Sequence, residues 1–184
     1  AAALFSVSHL SESTLRDRVG RMSDGERGEI IATYNGERLN RRHRPGRAFE
    51  ATTYRFEIVG DYGAFRDLQR HRMLTLDWQQ LDTEHGYEVP EGIDEAGLLP
   101  IFEEAMECSH ALTSAIRERS PEEAVYGVAL AHRLRYVMDM NAREAMHLIE
   151  LRSGGQGHPS YRWVAQQMHQ QILTTAGHGH IAAA

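Results

Sequence analysis

The feature that most constrains this fold is a change of hydrophobic period between residues 50 and 72. Tyr54, Phe56 and Ile58 alternate with Arg55 and Glu57, the two-residue repeat of a strand with one buried face. After Gly60-Asp61 the repeat lengthens. Tyr62, Phe65 and Leu68 recur at helical spacing, and Asp61 is placed to cap the helix they define. Met73–Asp77 then reads as a short strand. Further on, Leu134, Tyr136 and Met138 alternate with Arg133 and Arg135. Asn141, with Glu144 completing a capping box, starts a helix that runs to Leu151 or Arg152. Strands and helices in this proportion predict an α+β class: a small mixed or antiparallel sheet with several flanking helices.

The remaining elements are mostly helical. Ser11 to Met22 reads as a helix with Leu15, Val19 and Met22 on one face. Ser23 and Glu26 form a capping box for a second helix, which Asn35-Gly36 ends. Residues 78–97 read as loop. Leu98, Ile101, Phe102, Ala105, Leu112 and Ile116 mark a long amphipathic helix ending near Arg119. Ser120-Pro121-Glu122-Glu123 is a helix start, and that helix is expected to reach about Ala131. Tyr161, Val164, Met168 and Ile172 define a last helix. We expect one domain over 1–184: a helical segment with a basic loop (1–44), a core (45–173) and a flexible tail (174–184). His178 and His180 in that tail could bind a metal only weakly, and no zinc spacing, glycine-rich phosphate loop or internal repeat occurs.

Composition narrows the function classes. A net charge of −6 argues against general nucleic-acid binding. No apolar run approaches the roughly 20 residues of a membrane span. The start, Ala1-Ala2-Ala3-Leu4-Phe5, has neither the basic region nor the apolar stretch of a signal peptide, and it lacks an initiator Met. A piece of a longer protein is the expectation. The single cysteine, Cys108, lies in an apolar helical pattern, where a buried thiol is expected. It fits a reducing, cytoplasmic location.

The charge is uneven. Residues 38–72 hold nine arginines, whereas 83–123 is mostly acidic. A basic region on an acidic protein suits a small anionic, nucleotide-like ligand better than a duplex. Arg70-His71-Arg72 falls near the end of the helix begun at Asp61. Arginine offers a flat fork of donors for phosphate or carbonyl oxygens. Cations there also complement the helix dipole with no ligand at all. The loop Arg38–Arg47 has the same two readings, solvated loop or phosphate-binding loop. On the Asn141 helix, Arg143, His147 and Glu150 share the arc opposite the apolar residues Ala145, Met146, Leu148 and Ile149.

Two segments together resemble the flavin-dependent thymidylate synthase family. The first is Phe49-Glu50 followed by the strand, the helix and Arg70-His71-Arg72. The second is Asn141-Ala142-Arg143-Glu144-Ala145-Met146-His147-Leu148-Ile149-Glu150-Leu151-Arg152, with His158 and the last helix beyond. The resemblance covers residues 45–173. It implies an α+β domain that assembles as a homo-oligomer with sites between subunits. It implies methylation of dUMP to dTMP using methylenetetrahydrofolate, FAD and a nicotinamide reductant such as NADPH. By position, Glu50, Arg70, His71, Arg72, Asn141, Arg143 and His147 match flavin-contacting residues, and His158 matches one if the glycine loop is a short insertion. Arg152 matches an arginine serving the nucleotide. The resemblance assigns no catalytic residue here and no metal.

The family pattern is broken after Arg72. Trp78 stands where the family has glutamate, Gln80 where it has serine, and Asp82 where it has a phosphate-binding arginine. Val125 stands at the place of a further arginine. The resemblance therefore implies a domain that keeps much of the flavin signature and loses most of the dUMP signature. The expectation is FAD binding with little dTMP synthesis by the chain alone, as a homo-oligomer or beside a tandem partner domain. The alternatives are an active synthase using substituted residues and a non-catalytic assembly half of a tandem protein.

Overall fold

The computed structural model describes residues 1–184. Its helices are α1 (Ala2–Phe5), α2 (Glu12–Gly20), α3 (Asp24–Asn35), α4 (Tyr62–Leu68), α5 (Leu99–Arg119), α6 (Ala142–Arg152), α7 (Pro159–Thr174) and α8 (Gly179–Ala182). The strands are β1 (Thr53–Asp61), β2 (Leu74–Trp78) and β3 (Arg133–Asn141). They form one small antiparallel sheet in the order β1-β3-β2, so the fold is α+β as expected. Two 3-10 turns, Arg47–Ala51 and Pro121–Gly127, complete the elements.

The chain divides into two compact units. One comprises residues 1–54, 139–154 and 165–184. The other comprises 55–138 and 155–164.

In the first unit, local signals do what their chemistry dictates. Ser23 Oγ accepts from Glu26 N while Glu26 Oε2 accepts from Ser23 N at 2.7 Å. Gly36, at φ 64, ends α3 in a conformation that glycine adopts without strain. Asn141 Oδ1 accepts from Glu144 N at 2.9 Å and starts α6. Ala142, Ala145, Met146 and Leu148 are the buried face of α6, the arc its sequence marks. Leu15, Phe49, Met168 and Ile172 are buried in the same unit. Residues 174–184, expected to be a flexible tail, carry α8 and are tied down. The Tyr54 hydroxyl meets His178 Nδ1 at 2.9 Å, and Asp24 meets His180 Nε2 at 2.9 Å. The Ala184 carbonyl accepts from Asn35 and Arg38.

The second unit is built on the inner faces of β1 and β3. Phe56, Leu134, Tyr136 and Met138 are buried, with Phe65 and Leu68 of α4. The Phe65 ring lies edge-on to Tyr136 at 4.8 Å. Asp61 Oδ1 accepts from Ala64 N at 2.7 Å, so the strand-to-helix turn is capped as expected.

Three expectations are corrected in this unit. Residues 121–127 form a 3-10 turn and no α-helix, despite the helix-start signal. Gly127 lies against Thr113 so closely that a Cβ there would sit 3.0 Å from Thr113 backbone, and the chain returns at once toward β3. The apolar face of α5 is split. Met106, Ser109 and Thr113 are buried, whereas Ile101 and Leu112 are 65% and 53% exposed. Cys108, expected to be a buried thiol, is exposed for the same reason.

Candidate functional site

In the first unit, the sequence-marked residues gather around Glu50. The 3-10 turn Arg47–Ala51 places Arg47 and Glu50 one turn apart, and Arg47 Nη2 lies 3.1 Å from Glu50 Oε2. The first turn of α6 brings Arg143 to the same carboxylate at 2.9 Å. Arg143 Nε also donates to the Pro45 carbonyl at 2.9 Å. The Arg47 guanidinium, with Arg143 adding to it, holds the Glu50 carboxyl below the usual range, so it is a carboxylate at neutral pH. A bifurcated carboxylate fixes two cations in place and leaves Arg143 Nη2 for a further acceptor.

Farther along α6, Glu150 Oε1 accepts from Arg38 Nη2 at 2.7 Å, and the Arg38 side chain is only 8% exposed. His147 is exposed and Arg152 is half-buried on this helix. Arg38 and Arg47 were not singled out individually by the sequence, which marked only their loop as basic. Arg47 lies three residues from Glu50, a spacing visible in the sequence, whereas the partner of Arg38, Glu150, is over a hundred residues away and has no local pattern.

In the second unit, Arg70, His71 and Arg72 lie just past the end of α4, which stops at Leu68. Arg70 and Arg72 are exposed and His71 is half-buried. The Arg70 guanidinium reaches Asp67 only loosely, at 3.6 Å. The departures from the family pattern fall in the same unit. Trp78, 53% exposed, packs on Phe65 at 5.7 Å. Asp82 Oδ1 accepts from Glu84 N at 2.9 Å, so this carboxylate caps a turn. Val125 is half-buried in the 3-10 turn after α5.

His158 lies elsewhere in this unit, on an open cleft of about 920 Å³. Asp61, Asp67, Glu88 and Glu91 line that cleft with Leu130, Tyr161 and Trp163, and no arginine does. The His158 ring sits 6.3 Å from Tyr161. A cleft with four carboxylates and no arginine is ill-matched to a phosphate.

The fold is that of a thymidylate synthase X. The crystal structure of thymidylate synthase X from Helicobacter pylori with FAD and dUMP overlays at a TM-score of 0.61 and 19% identity, covering 86% of this chain and 85% of that one. The family model for thymidylate synthase complementing protein matches residues 2–176, and the chain belongs to that family. Among curated relatives, a UPF0159 protein of Chlamydia muridarum is 38% identical over 173 residues, covering 94% of this chain and 33% of the relative. A UPF0159 protein of Thermoplasma acidophilum is 38% identical over 162 residues, covering 87% of the chain and 32% of the relative. The chain thus spans about a third of the length of these relatives.

Proposed function

We propose that this chain is a flavin-binding domain of the thymidylate synthase X type whose nucleotide site has degenerated, so that it makes little dTMP alone. We assign flavin contacts to Glu50, Asn141, Arg143 and His147, and keep Arg70, His71 and Arg72, and likewise His158, as separate candidate contacts. Arg152 would serve a nucleotide-like anion.

The Glu50 cluster is the observation that carries the reading. Arg143 is anchored by the Pro45 carbonyl and by Glu50, with an outer donor edge to spare. A guanidinium locked on two sides loses little entropy on taking a phosphate or flavin carbonyl oxygen. The exposed Arg70 and Arg72 are a second donor set of the same chemistry. Bound FAD would supply the capacity to accept and return a hydride. The protein's part is to hold it and to keep cationic groups near its anionic portions.

The degenerate nucleotide site follows from Trp78, Asp82 and Val125. Asp82 is committed to a turn and carries the charge that repels a phosphate. We read the whole protein as a cytoplasmic homo-oligomer or the partner of a further domain in a longer chain.

The test is the flavin content of the natively purified protein and its titration with excess FAD. We expect an oxidised-flavin absorption band that the Arg70→Ala, Arg143→Ala double variant abolishes while keeping its circular dichroism. A folded double variant with normal flavin would overturn the site assignment. Wild type that takes up no FAD would overturn the flavin reading.

A further inference from the structure

The turn that carries Arg47 and Glu50 has no cap of its own. Its N-cap is Gly46, which has no side chain to accept from the first amides of the 3-10 turn Arg47–Ala51. Backbone freedom is not what puts glycine there, because φ −67 and ψ 161 are extended values open to any residue. The reason is close approach. Tyr34, on the last turn of α3, lies directly against Gly46, and a Cβ there would overlap its Cζ, Cε1 and hydroxyl oxygen.

The Tyr34 hydroxyl supplies the missing cap. It accepts from Ala48 N, the second amide of the turn, at 2.8 Å. The Tyr34 ring is also 5.8 Å from the buried ring of Phe49, tilted at 55°. One side chain of α3 thus holds Gly46, Ala48 and Phe49. On either side of that grip stand the two groups that anchor Arg143. The Pro45 carbonyl accepts from Arg143 Nε at 2.9 Å, and the Glu50 carboxylate accepts from Nη1 at 2.9 Å. All of these residues belong to the first unit.

We propose that Tyr34 is the positioning residue of Arg143, a role that rests on the flavin reading above. It acts without touching the ligand. Tyr34 sets the turn, and the turn sets the Pro45 carbonyl and the Glu50 carboxylate. Those two acceptors aim the remaining edge of the guanidinium at the phosphate or flavin carbonyl oxygen it would bind. A planar fork of donors tolerates little misalignment. A turn that opens part of the time lowers the fraction of chains competent to bind, and the apparent dissociation constant rises in the same proportion.

The hydroxyl, and not only the ring, is what the turn requires. Phenylalanine would fill the same space against Gly46 and Phe49, but it would leave the half-buried Ala48 N–H without its acceptor. Removing one oxygen therefore separates capping from packing. The N-cap position offers the converse change. A serine at 46 would carry its own acceptor for the Ala48 amide, and the backbone there already has the extended conformation of an N-cap. Only the Tyr34 ring excludes it.

Two readouts separate positioning from general stability. The first needs no flavin: hydrogen exchange of the Arg143 Nε–H, assigned by its loss in Arg143→Lys. The second is the dissociation constant for FAD. Tyr34→Phe should speed the exchange at least about threefold and raise the FAD dissociation constant about three- to tenfold, as loss of a cap predicts, with unchanged circular dichroism. Tyr34→Ala removes ring and cap together and should be worse in both. Tyr34→Ala with Gly46→Ser places a hydroxyl at the N-cap in the space the ring has left, and should recover part of both losses. Gly46→Ser against the intact ring should be harmful. A tyrosine that serves only packing predicts no effect of Tyr34→Phe and no such rescue. Unchanged Arg143 exchange in folded Tyr34→Phe overturns the proposal, and so does faster exchange with unchanged FAD affinity. If Tyr34→Ala does not fold, the Tyr34→Phe comparison decides alone. Wild type that takes up no FAD, while Tyr34→Phe still speeds the exchange, refutes the flavin reading and leaves the positioning of Arg143 standing.

Discussion

Replacing Gly127 by alanine should destabilise the protein by about 2 kcal/mol, through a contact that no rotamer can relieve. A Cβ at Gly127 would lie 2.7 Å from Thr113 Oγ1 and 3.0 Å from both Thr113 Cα and Thr113 N. Thr113 is fully buried, and its hydroxyl is fixed by donating to the Ser109 carbonyl at 2.8 Å. The backbone of α5 must therefore shift, which for overpacking costs roughly 1–3 kcal/mol. The shift also strains the Ser109 bond to the Gly127 carbonyl, a bond of about 1 kcal/mol. Against this, alanine restricts the unfolded chain and returns about 0.4–1 kcal/mol. Urea denaturation reads the difference as a lower midpoint at unchanged slope. The thermal midpoint should drop by about 4–8 °C for a chain of this size. Gly155→Ala is the control, because a Cβ there meets nothing within 4 Å. A Gly127→Ala protein within about 0.5 kcal/mol of wild type, below the usual range for overpacking, would refute the packing of α5 on the turn that follows it.

Two further outcomes are expected. Burial pushes the Tyr54 hydroxyl up to about 12, whereas an unfolded tyrosine ionises near 10. Below about pH 10 tyrosine is neutral in both states, so the contribution of Tyr54 is fully present there. It is lost as pH rises from 10 to 12, because only the unfolded chain ionises in that window. Urea midpoints measured from pH 9 to 12 should fall, and Tyr54→Phe should flatten part of the slope. For the nucleotide, the chain with FAD, reductant and methylenetetrahydrofolate should release no useful tritium from labelled dUMP. Two missing charge-assisted contacts, at roughly 1.5–3 kcal/mol each, weaken binding by about two to four orders of magnitude. Asp82→Arg with Val125→Arg should tighten dUMP at least about tenfold. Robust turnover by wild type would establish an active synthase instead.

The elements that sequence reasoning identified correctly share one property: their cause is local. Ser23 and Glu26, Asp61 and Ala64, and Asn141 and Glu144 each satisfy backbone donors three residues away. The alternation in β1 and β3 is likewise visible in a handful of residues, and both strands bury one face as that alternation requires. The failures share the opposite property. The helix expected to follow Pro121 has a sound start, but Gly127 must meet Thr113, and that tertiary contact leaves room only for a 3-10 turn. The tail looked free because its glycines and histidines show no periodicity. It is held by Tyr54, Asp24, Asn35 and Arg38, none of which is near it in sequence.

The same division runs through the candidate site. Arg143 and His147 on the outer arc of α6 could be read from helical spacing, and Glu50 from its place before β1. The bond between Glu50 and Arg143 spans 93 positions, and nothing in either segment announces it. Arg47 changes the charge that this bond leaves. A lone Arg143 beside Glu50 would be a neutral pair with little field beyond it. A carboxylate shared by two guanidinium groups leaves one net positive charge, held by hydrogen bonds to fixed backbone and side chain. The basic loop thus has a third reading beside the two its composition offered. Arg38 and Arg47 pair with Glu150 and Glu50 and position the charge of α6. The exposed Arg41, Arg42 and Arg44 between them are left as the groups from which a displaced nucleotide phosphate contact would have to come. If the isolated chain does bind dUMP, alanine at these three positions should abolish that binding while leaving FAD uptake intact. If it leaves dUMP binding intact too, the phosphate contact lies outside this loop.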